Sequence, residues 1–127
     1  MRTKMILGLA LALPLAGAAL SLARAARADG TPPPPYTVAT SSGTVTVTAG
    51  TGYHINSEYP WKVTQGTITS PPGATLADKS KFAIAATTAT LANAPKGTNT
   101  LKGAYCSVDA SGHPGSCTPF TTTITVP

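Results

Sequence analysis

The chain has 127 residues, with nine Lys and Arg against four Asp and Glu, and a formal charge of +5. Four of the positives (Arg2, Lys4, Arg24, Arg27) precede residue 29, whereas all four acids (Asp29, Glu58, Asp78, Asp109) lie from 29 onward, so residues 29–127 carry a net +1. One domain's length, 10% charged residues and a nearly neutral body exclude an ion-pair-rich coiled coil and leave no electrostatic reason to expect nucleic acid as a partner.

Residues 1–28 have the three parts of a secretory signal peptide. Arg2 and Lys4 form a positive start, Met5 to Leu22 is apolar apart from Ser21, and Ala26-Arg27-Ala28 places small residues where a signal peptidase reads them. Cleavage is predicted after Ala28, giving a periplasmic or secreted protein with no stable membrane span. The competing reading is an uncleaved anchor, which Pro14, Gly17 and the alanine content weaken. Residues 29–36, with Pro32 to Pro35, read as a stiff Pro-rich spacer, because proline lacks the N–H that helix and central strand need.

Residues 37–127 form the domain. Thr44–Thr48 and Thr121–Val126 alternate polar and apolar residues with period two, the pattern of strands with one wet face. Val45 and Val47 point inward in the first; Phe120, Ile124 and Val126 share a face at the end of the chain. Further strands are expected over Trp61–Thr69 (broken at Gly66), Phe82–Thr90 and Thr100–Val108. A helix is least excluded at the Ala-rich Leu76–Ala92, although its alternation favours strand. Turn chemistry at Gly50–Gly52, Ser70–Gly73, Ala94–Gly97 and Ser111–Gly115 separates these runs. The expected fold is all-β, a small antiparallel sandwich of about seven strands.

Cys106 and Cys117 are the only two cysteines. An even count behind an export signal points to a disulfide, here closing a hairpin. A redox-active pair and a metal site completed by His54 and His113 are the alternatives. Against them, the spacing is neither Cys-x-x-Cys nor any recognised zinc pattern.

The segment Tyr53–Val63 concentrates two Tyr, the sole Trp, one His and the sole Glu. If extended, it puts Tyr53 and Ile55 on one side and His54 and Asn56 on the other. Two readings apply. In one, Tyr53, Ile55 and Trp61 plug an end of the sandwich while Asn56 and Ser57 cap a turn. In the other, His54, Asn56, Glu58, Tyr59 and Trp61 form a recognition surface.

Gly52-Tyr53-His54-Ile55-Asn56-Ser57, followed by Ala104-Tyr105-Cys106 and Cys117-Thr118-Pro119, resembles the immunoglobulin-like N-terminal periplasmic domain of the bacterial DsbD family of thiol:disulfide interchange proteins. The resemblance spans Tyr53 to Val126. It implies an immunoglobulin-like sandwich whose hairpin cysteines, here Cys106 and Cys117, cycle between dithiol and disulfide to pass electrons to periplasmic partners. The intervening segment is longer and more polar here, and a free-standing domain with no electron-conducting segment after it is expected. The expectation is therefore an exported binding or structural envelope protein with a structural disulfide; the alternative is thiol/disulfide exchange through Cys106 and Cys117. Its partner would be a periplasmic or extracellular protein or ligand. No cofactor or metal is expected. Catalysis has no motif to recommend it: Gly-x-Ser-x-Gly, His-Glu-x-x-His and a phosphate-cradling glycine loop are all missing.

Overall fold

Alternating Thr and Val can bury one face of a strand only if a second sheet covers that face. The computed structural model, which describes residues 31–127, meets this condition with two antiparallel sheets. The strands are β1 (Tyr36–Ser41), β2 (Thr44–Ala49), β3 (Tyr53–Ile55), β4 (Lys62–Gln65), β5 (Thr75–Ala77), β6 (Phe82–Ile84), β7 (Thr88–Leu91), β8 (Gly97–Val108) and β9 (Pro114–Val126). One sheet has the order β1-β2-β7-β6. In the other, β3-β8-β4-β5, strand β9 also pairs with β8. The small antiparallel β-sandwich is present, with nine strands among the described residues instead of about seven. The expected signal segment lies outside the described residues, as do Asp29 and Gly30.

The extra strands arise where the sequence carries weak punctuation. Strand β1 begins at Tyr36, which the sequence assigns to the spacer, and turns into β2 through Ser42 (φ 50°) and Gly43 (φ 75°). Two positive φ values in a two-residue loop match the twist of the flanking strands. The end of the proline run lies against the domain: Gly50 N–H donates to the Pro35 carbonyl at 2.8 Å, and a Cβ on Gly50 would collide with the Pro34 carbonyl oxygen. The expected single strand Phe82–Thr90 is instead the hairpin β6–β7. Its tip is held from outside, where Ala86 and Thr87 carbonyls accept from Ile55 and Ala49 N–H groups. Within Leu76–Ala92 the only helical element is one 3₁₀ turn, Lys79–Lys81, capped by the Asp78 side chain.

Strand β8 organises the second sheet. β9 runs along one edge of it, while β3 and β4 share the other, pairing with Tyr105–Ser107 and Asn99–Lys102 respectively. On the core face Leu101 and Val63 are fully buried. At one end of the core an aromatic cluster gathers Tyr36, Trp61, Phe82, Tyr105 and Phe120, with Tyr36 stacked on Phe120 at 4.0 Å and Trp61 edge-on to Phe120 at 5.7 Å. Gly103 makes room for the indole, since a Cβ there would lie 2.4 Å from Trp61 Cζ3.

Burial, reinforced by the charge of Tyr105, raises the Tyr36 phenol above its ordinary value of 10.0. A folded pKa above the unfolded one gives a contribution that is complete below the unfolded value and lost as pH rises through the folded value. The melting temperature is therefore expected to drop above about pH 10. Tyr36→Phe should flatten that drop in thermal melts; an unchanged alkaline profile would contradict the assignment.

Candidate functional site

The hairpin β8–β9 places Cys106 directly opposite Cys117, and their sulfurs lie at disulfide distance, 1.98 Å, with Cα atoms 3.9 Å apart. Half of the polar segment between them is strand: β8 runs to Val108, β9 starts at Pro114, and the turn is confined to Asp109–His113. The Asp109 carboxylate accepts the N–H groups of Ser111 (2.9 Å) and His113 (2.8 Å), and Gly112 takes φ 82°. Pro114 and Pro119 are tolerated because β9 pairs on one side only. His113 is thereby committed to the turn, its ring nitrogen 3.4 Å from Asp109.

Register then joins two motifs far apart in sequence. Residues directly opposite on antiparallel strands share a face. His54 of β3 is opposite Cys106 of β8, so both project from the face turned away from the core, while neighbouring Ile55 and Tyr105 pack inward. An open cleft of about 470 Å³ lies here, lined by His54, Asn56, Glu58, the Ile84–Ala86 hairpin tip and both cysteines. The two cysteines differ in exposure: Cys106 is 2% exposed, whereas Cys117 is exposed.

The residues proposed as a recognition surface separate. His54 and Asn56 are half-buried and Glu58 is exposed, all at the cleft. Trp61 leaves the set: at 1% exposure it is core, its Nε1–H donating to the Asn56 carbonyl at 2.7 Å. Tyr59 is half-buried against the core and does not line the cleft. The Asn56 side chain accepts the Glu58 N–H at 2.9 Å, closing the turn, and the Asn56 backbone N–H donates to the Ala104 carbonyl at 3.0 Å. Asn56 therefore shapes the wall of the cleft as well as lining it. The hairpin tip Ile84–Ala86 was missed from the sequence because it belongs to the other sheet.

Among the described residues, no three His, Cys, Asp or Glu side chains gather at metal-binding distance, and sulfurs bonded to each other are not thiolate ligands. Nor is any helix among them long and apolar enough to cross a membrane. No family model, no curated protein and no solved structure matches the chain.

Proposed function

We propose that this is an exported binding protein of the cell envelope, a relative of the DsbD-type periplasmic sandwich in which the disulfide is structural and the adjoining cleft contacts the partner. The observation that carries this reading is the unequal exposure of the two cysteines. An incoming thiolate reaches Cys117, so the leaving group is Cys106. Expelling a thiolate into a buried position costs desolvation, which opposes reduction. The cleft next to the bond, with its polar wall at His54 and Glu58 and its apolar wall at Ile84 and Ala85, supports binding. Export rests on the character of residues 1–28, and paired sulfurs agree with an oxidising compartment.

The second reading is thiol/disulfide exchange, favoured by the open position of Cys117. A partner thiolate would attack Cys117 Sγ and release Cys106 as thiolate. A second partner thiolate would then attack the partner's sulfur in the mixed disulfide, leaving a protein dithiol and an oxidised partner. Equilibration in redox buffers separates the two readings. A potential below about −300 mV is expected for the structural bond, and one between about −270 and −120 mV would transfer the assignment to exchange.

A further inference from the structure

We propose that the outward face of the five-stranded sheet binds a tetrahedral oxyanion, a phosphate or sulfate group, between Lys102 and the threonines around it. The site lies on the β4–β8–β9 part of the sheet and shares no lining residue with the disulfide cleft. Its basis is an arrangement that folding alone disfavours. Lys62 and Lys102 are directly opposite on β4 and β8, on the face that carries Cys106, and both are half-buried. Like charges directly opposite on adjacent strands repel and destabilise the pair. Among the described residues no acid lies within ion-pair distance of either lysine. The single close contact between a basic and an acidic side chain among the described residues is His113 with Asp109. Asp78, which follows the end of β5 next to β4, accepts instead from the Ser80 backbone N–H at 3.0 Å and from its hydroxyl.

A cavity adjoins Lys102, with Lys62 across the strand and outside its lining. It has a volume of about 150 Å³ and is formed where residues 67–72 fold over the sheet, with Thr64, Thr100, Lys102 and Thr121 on the sheet side and Thr67 and Thr69 on the loop side. At roughly 30 Å³ per water the volume suits a small oxyanion with part of its hydration. Thr100 and Thr69 donate their protons to the Gly66 (2.7 Å) and Pro71 (3.2 Å) carbonyls. The first ties the start of the loop to the sheet, the second lies within the loop, and together they leave the hydroxyls of Thr64, Thr67 and Thr121 as donors. Thr64 is only 3% exposed, so its hydroxyl opens onto this cavity and not onto bulk solvent. An ammonium, a second ammonium across the strand and several hydroxyl donors are the complement of a compact, multiply charged acceptor. A single carboxylate would leave half of that capacity unused.

The test is thermal denaturation of the oxidised protein in sodium phosphate, sodium sulfate or sodium chloride at matched ionic strength, with direct titration of phosphate by calorimetry. Phosphate and sulfate are expected to raise the melting temperature beyond chloride, increasing with concentration as linkage requires. Lys102→Gln should weaken phosphate binding about ten-fold, the scale of one charge-assisted hydrogen bond. Lys62→Gln should weaken it less. Thr121→Val, which leaves charge unchanged, should also weaken it. Without phosphate both lysine variants should be at least as stable as the parent, because the opposed charges are gone. Equal responses to phosphate and chloride would overturn the site, as would an unchanged phosphate response in the Lys62→Gln/Lys102→Gln protein. Glycerol phosphate distinguishes the source of the anion: binding tighter than inorganic phosphate assigns the pocket to the phosphoryl group of a larger molecule, and weaker binding to the free ion.

Discussion

Trp61→Ala is expected to lower the stability of the domain by about 3–5 kcal/mol, the cost of emptying an aromatic-sized space in a packed core. Three observations set the magnitude. The indole is 1% exposed, touches Phe82 and Phe120, and lies over a glycine whose missing Cβ is what lets the ring in. The space left behind cannot be refilled by Gly103, which has no side chain to move. The substitution also removes the Nε1–H donor of the Asn56 carbonyl, so it loosens the Asn56–Pro60 turn that forms one wall of the disulfide cleft. Trp61→Phe retains an aromatic ring but loses this donor, and its cost should be smaller. Urea denaturation followed by far-UV circular dichroism checks both, since the only tryptophan is the residue removed. A loss below about 1 kcal/mol for the alanine variant would show that the indole is not the keystone of the aromatic cluster.

Cys106→Ala/Cys117→Ala is expected to lower stability by about 3 kcal/mol, from the chain entropy returned to the unfolded state when the cross-link, with a sequence separation of 11, is opened. Small domains have only about 5–15 kcal/mol in total, so the bond carries a large share. Alanine is the better replacement because Cys106 is buried, where a serine hydroxyl would need a partner. The effect should be reproduced by reducing the parent protein, provided the reductant is strong enough to open the bond. Identical midpoints for the oxidised parent and the alanine pair would remove the structural role from the disulfide.

Much of the fold was legible because its signals are local. The Thr-Val alternation placed Val45 and Val47 inward, and the shared parity of Phe120, Ile124 and Val126 assigned them to one buried face. The strands that escaped notice are those whose ends are decided elsewhere in the molecule. The turn at Ala86 and Thr87 contains neither glycine nor proline; it forms because Ile55 and Ala49 supply N–H groups to its carbonyls. Strand β1 begins inside a proline-led segment because Tyr36 can stack on Phe120, a residue far along the chain.

The same division applies to the candidate site. The sequence by itself singled out the candidate residues: a lone pair of cysteines, and a segment holding one His, one Asn, the sole Glu and three aromatics. It also showed that the +5 charge is mostly a property of residues 1–28. Only the tertiary structure decided which of these residues meet. Register across β3 and β8 put His54 opposite Cys106, burial took Trp61 out of any recognition surface, and pairing of β4 with β8 set Lys62 against Lys102. The physical reason is that side-chain alternation along a strand is a local property with period two. Which strand lies alongside, and in what register, depends on the whole core closing around its largest side chains.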